Sequence, residues 1–159
     1  MNEDQDILAE LHVSYARLVI AVGMFGFLGI LLVYLGFSLP PVALLGNLAL
    51  VGFGVVALYF GFRLYSSRGY ILRLTRAGLF DGEGRLICPV ENVAKIERGA
   101  FAFKPSNGFS LVLKEKIPVG WQPGVYWGGG RRVGVGGVVS AGQAKFMADM
   151  FSLHLAGSI

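Results

Sequence analysis

The amino-acid sequence predicts a membrane protein of the α + β class. A transmembrane helical hairpin is followed by a small antiparallel β-rich domain closed by a C-terminal helix. Three observations predict this. Two uncharged apolar runs, residues 18–37 and 42–62, stand back to back with only Ser38-Leu39-Pro40-Pro41 between them. From Gly69 onward the texture changes to short alternating segments punctuated by glycine. Near the end, residues 140–155 carry apolar side chains at helical spacing.

The leader, residues 1–17, reads as a short amphipathic helix. Asn2 stands three residues before Gln5, and Ile7, Leu8, Leu11, Tyr15 and Leu18 recur at helical spacing. Its apolar stripe lies in the membrane interface or against the cytoplasmic domain, or the segment extends the first span by two turns. Its acidic start, Asn2-Glu3-Asp4-Gln5-Asp6, does not suit a secretory signal, whose first region is basic.

Each apolar run has the length a bilayer needs, since a hydrocarbon core of about 30 Å takes about 20 helical residues. Backbone amides in hydrocarbon need internal partners, so both runs should be helical. Pro40 disfavours helical geometry at Leu39, and the short break returns the chain as a tight hairpin. The alternative, a buried core pair in a soluble protein, fits poorly with 54% hydrophobic residues and a mean hydropathy of +0.61. Small residues let helices approach closely in lipid. Gly23, Gly26 and Gly29 in the first run and Ala57 and Gly61 in the second are therefore the expected packing surface, with Asn47 bonding across it. Docking onto another membrane protein is the other use for such a surface. Neither run carries the ionisable group that a transport role would want.

Charge sets the orientation. Arg63, Arg68, Arg73 and Arg76 follow the second run closely, and basic residues near a helix end are retained on the cytoplasmic side. Two crossings return both termini to that side. Residues 63–159 hold thirteen basic and six acidic side chains, an excess that suits an anionic leaflet better than nucleic acid, because no recognition helix rich in Arg or Lys appears. The single Cys88 agrees with a reducing compartment.

Beyond Gly69, Tyr70, Leu72 and Leu74 alternate with Ile71, Arg73 and Thr75, the period of a half-buried strand. Turns are expected at 75–78 and 81–84, with strands at 79–80, 85–88, 93–103 and 109–114. Asn107-Gly108 supplies hairpin chemistry between the last two. A long loop then leads to a short strand at 132–136. Ser140 and Gln143 form a capping box for the final helix, with Phe146, Met147, Met150 and Phe151 on its apolar face and Gly157 at its end.

The residues Leu74-Thr75-Arg76-Ala77-Gly78-Leu79 and Gly84-Arg85-Leu86-Ile87-Cys88-Pro89-Val90-Glu91-Asn92-Val93-Ala94-Lys95-Ile96 resemble the bacterial pleckstrin-homology-like (PH-like) family. In that family small inner-membrane proteins carry a two-helix hairpin before such a domain. Pro89, Asn92, Val93 and Ile96 fit its pattern, whereas Val90 stands where tryptophan is usual, and the glycine-rich stretch near 130 is foreign to it. The resemblance implies a PH-like cytoplasmic domain over 69–156 and a bacterial inner-membrane location. It further implies a non-enzymatic binding or assembly role toward a partner protein, a second copy or anionic lipid. An accessory subunit of a larger membrane complex is the alternative, and a membrane-bound enzyme a more distant one.

The stretch most suggestive of contact is 121–132, where Trp121, Tyr126, Trp127, Arg131 and Arg132 combine interface-seeking aromatics with paired cations. It is read as a loop facing lipid headgroups or a membrane partner, against the plainer role of a connecting loop covering the sheet. Gly128–Gly137 lacks the spacing of a nucleotide loop. His12, Cys88 and His154 are too scattered for a metal site, and no cofactor is expected.

Overall fold

The computed structural model describes residues 7–38, 40, 44–98 and 108–157. Contacts divide the chain into two units, Tyr15–Arg68 and Met1–Ser14 with Gly69–Ile159. The first is a pair of antiparallel helices, α1 (Tyr15–Ser38) and α2 (Leu44–Tyr65). Both are long and apolar enough to cross a membrane. They leave large apolar side chains on most faces open, including Phe27 at 72% exposure and Leu45 at 84%. The break at Leu39 falls outside the described residues.

The seam between these helices is made by glycine. A Cβ on Gly29 would stand 2.9 Å from the carbonyl oxygen of Gly54, and one on Gly54 would stand 2.8 Å from that of Gly29. At one end Gly36 faces Asn47 and Val51, and at the other Gly61 faces Phe25 and the backbone of Gly26. Ala57 is buried in the same seam. Gly23 and Gly26 differ from the other expected packing residues: a Cβ on either would touch nothing, and Gly23 is exposed.

Among the described residues, the second unit holds seven strands and one α-helix: β1 (Ile7–His12), β2 (Ile71–Thr75), β3 (Gly78–Phe80), β4 (Leu86–Pro89), β5 (Val93–Glu97), β6 (Phe109–Gln122), β7 (Tyr126–Val135) and α3 (Ala141–Leu155). They form an antiparallel sheet in the order β1-β2-β3-β4 and a second in the order β5-β6-β7. Leu11, Leu72, Leu74, Leu79, Phe109, Leu111, Val133, Met147 and Phe151 make the shared core.

Residues 7–12 correct the leader helix: they are a strand, with Leu11 opposite Leu72 and Glu10 opposite Arg73. Ala9 and Leu11 are buried at alternate positions. The same apolar residues also satisfy a helical spacing, and the open edge of β2 decides between the two. The folded unit therefore begins ahead of the helix pair, and α1 and α2 interrupt it in the sequence between β1 and β2. The other side of β1 is held as well. Its His12 N–H donates to Gln143 Oε1 at 2.9 Å, and His12 O accepts from Ser140 N–H at 3.1 Å. Gln143 is thus occupied by β1, and Ser140 precedes α3 without a side-chain cap bond, so the capping box does not form. Met147 and Phe151 enter the core, while Phe146, expected beside them, is 53% exposed.

The expected loop after residue 114 is the far half of a long hairpin. Gln122 O accepts from Val125 N–H at 3.1 Å, with Pro123 and Gly124 (φ 70°) at the central positions of a type II turn. The register slips between Val112 and Ile117 and again before Gly120, and Gly130 takes φ 59°. The hairpin therefore bends back on itself. Its tip bonds to the segment after β7, through Gly136 N–H to Val125 O and Val138 N–H to Gly124 O. Val125 is sealed in the core. Pro89 closes β4 ahead of a 3₁₀ turn, Val90–Asn92. Val93 is buried and Ile96 packs partly against the core. The Asn107 turn lies outside the described residues.

Candidate functional site: a cleft floored by two tyrosines

The turn between β3 and β4 builds one wall of the site. Asp81 is almost fully buried because its carboxylate replaces missing backbone partners. Oδ1 accepts from the N–H groups of Glu83 at 2.9 Å and Arg85 at 2.8 Å, and Oδ2 accepts from Arg85 Nε at 2.9 Å. Gly84, at φ 79°, permits the tight reversal. The Arg85 guanidinium is exposed yet fixed, since Glu83 holds its other side at 2.9 Å. Asp81, and secondarily Glu83, keep it firmly protonated.

The floor is aromatic. Tyr70 precedes β2 and Tyr126 opens β7, and their hydroxyls hydrogen-bond to one another. Burial, reinforced by the Asp81 charge, raises both phenols above their ordinary value of 10.0. Both are therefore neutral hydrogen-bonding groups near neutral pH. The far half of the β6–β7 hairpin supplies the opposite wall. Gly120 leaves space beside the tyrosine: a Cβ there would lie 3.4 Å from Tyr126 Oη.

These elements enclose an open cleft of about 370 Å³. Its rim is apolar and solvent-facing, with Leu86 50%, Val119 88% and Trp121 47% exposed. The lining residues include no histidine, cysteine or serine. Among the described residues no group of three or more His, Cys, Asp or Glu side chains is placed to hold a metal ion. Cys88, in β4, is buried in the core, and burial pushes its thiol up to about 12.

The five residues expected on one contact loop are separated by the hairpin. Trp121 and Trp127 are cross-strand partners and share a face. The Trp127 indole lies against Gly134, leaving no room there for a Cβ. Tyr126 points the other way, into the cleft, and is 8% exposed. Arg132 reaches Glu97 at 3.5 Å, and Arg131 is exposed. Tyr70, Asp81, Arg85, Leu86 and Val119 are site residues that sequence reasoning missed. The Asp81-Gly82-Glu83-Gly84 turn was a usable signal, because an aspartate at a turn commonly accepts from N–H groups two to four residues on.

Comparison with protein-family models, curated proteins and solved structures finds no match to this chain.

Proposed function

We propose that the chain is an integral protein of a bacterial inner membrane whose β-rich unit is PH-like and acts in the cytoplasm as a non-enzymatic binding or assembly module. The carrying observation is the cleft: it has the size of a ligand site, about 300–1,000 Å³, with neutral donors and no histidine, cysteine or serine in its lining. The PH-like reading is supported by the strand arrangement, four antiparallel then three antiparallel strands followed by one helix against the core. The membrane reading is supported by two long apolar helices with outward apolar side chains, whose charged residues, Arg17 and Arg63, lie near the helix ends. Pairing of β1 with β2 supports an even number of crossings, because the strands precede and follow the helices yet share a ladder.

A polypeptide partner or a second copy suits the cleft better than anionic lipid. Its one lining arginine is already held by Asp81 and Glu83. Extraction in a mild detergent followed by native mass measurement should find a stoichiometric complex, and a bare monomer counts against the module. The accessory-subunit reading draws on Gly23 and Gly52, which leave smooth outward surfaces on α1 and α2. It expects several different membrane subunits in that complex.

A further inference from the structure

The β6–β7 hairpin has a second face, turned away from the Tyr126 hydroxyl. Side chains alternate along a strand, so Trp121 and its cross-strand partner Trp127 point opposite to Tyr126. Val119 shares their side, since a Cβ on Gly129, two residues beyond Trp127, would meet it at 3.7 Å. Among the described residues no large apolar side chain is more exposed than Val119, not even on the two long helices, and Trp121 is half-exposed. Cations stand on the same arm. Residues 116–132 carry Lys116, Arg131 and Arg132 and no acidic residue. Arg132 turns to Glu97, whereas Lys116 and Arg131 are exposed. Arg131 lies between the Val112–Arg132 and Ile117–Gly130 pairs, opposite the bulged segment that holds Lys116.

The hairpin tip is tied to the point where the chain leaves for α1. Val138 N–H donates to Gly124 O at 2.9 Å, and Ser14 N–H donates to Val138 O at 2.8 Å. Val13 pairs with Val139 beside them. Ser14 directly precedes Tyr15, the first residue of α1. Two strand spacings of about 4.8 Å and three residues at about 3.3 Å place Trp121 within about 20 Å of Ser14. A surface held so near the start of a membrane span meets lipid at high effective concentration, so a modest patch is enough to engage it. Its chemistry suits that surface: tryptophan favours the headgroup level, and Lys and Arg favour an anionic leaflet.

We propose that this outer face of the hairpin seats on the anionic leaflet of the bilayer that α1 and α2 cross. Val119 and Trp121 enter the boundary between headgroups and acyl chains, and Lys116 and Arg131 lie among the headgroup phosphates. The proposal rests on the membrane reading and is independent of what the cleft binds.

The test reconstitutes the full chain into liposomes of phosphatidylcholine and phosphatidylglycerol, with or without bromine on the acyl chains just below the headgroups. Trp121 and Trp127 are the chain's only tryptophans, so selectively excited indole emission reports this hairpin alone. Brominated lipid should quench that emission about twofold or more. Val119→Glu should abolish most of the quenching. The double variant Lys116→Gln with Arg131→Gln should weaken it severalfold, as should liposomes of phosphatidylcholine alone. All three positions are exposed, so these substitutions leave the core intact. Flotation of the liposomes after an alkaline wash reports insertion. A chain that does not float overturns the membrane reading and the seating together. A floating chain with unquenched emission overturns the seating alone. So does quenching that Val119→Glu leaves unchanged, or quenching equal in the two lipid compositions. Emission unquenched in liposomes yet shielded from acrylamide in native membranes also overturns it, and assigns the face to a protein partner.

Discussion

Asp81 accepts from two backbone N–H groups and one guanidinium N–H at a single turn, and its charge also reaches both tyrosines. Replacing it with Ala leaves the Glu83 and Arg85 N–H groups without their acceptor and releases the Arg85 side chain. Leaving buried donors unsatisfied costs about 1–3 kcal/mol. Asp81→Ala should therefore lower the thermal midpoint in a melting experiment. The same substitution removes a charge that raises Tyr70 and Tyr126, so their titration by ultraviolet absorbance should move down toward 10, with burial retaining part of the shift. The pH dependence has a definite sign. Phenols raised in the folded state stabilise it fully below their unfolded value of about 10. As pH climbs above that, the unfolded chain loses its protons first and the stabilisation falls away. An unchanged titration in Asp81→Ala would show that the carboxylate does not act on the pair.

Among the elements, the helix seam and the folded-back hairpin show what local sequence carries. The seam was legible in part, since Gly29, Ala57 and Gly61 lie where the helices meet, whereas a Cβ on Gly23 or Gly26 would touch nothing. Gly29→Leu would drive a branched side chain into Leu58 and the Gly54 carbonyl. Overpacking of this kind costs about 1–3 kcal/mol. The variant should splay the helices, seen as a loss of crosslinking between cysteines placed at positions 36 and 51, whereas Gly23→Leu should leave it intact. The strands β2, β3 and β4 were legible because alternation and turn residues are neighbours in sequence. The leader strand was not, because its partner lies about sixty residues away and its apolar residues satisfy two periods at once. The cleft was hidden for a related reason. Tyr70, Asp81 and Tyr126 meet only because the β6–β7 tip bends back, a bend set by register slips and by Gly130 rather than by any motif.

For the whole molecule, strand β1 gives the orientation argument a footing apart from charge. Pairing of His12 with Ile71 requires both on one side of any bilayer that α1 and α2 cross. Reporters fused at either terminus should therefore be active in the same compartment, which the proposed topology makes the cytoplasm. Activity of a reporter at Ile159 only after export would sink the proposed topology. The same interruption of the sheet bears on biogenesis. During synthesis β1 emerges first and waits, its edge without β2, until both helices and residue 71 have followed. If one helix failed to enter the bilayer, the two strands would be stranded on opposite sides and the sheet could not close. Completion of the β1–β2 ladder would then proofread insertion, leaving misinserted chains unfolded and open to proteolysis.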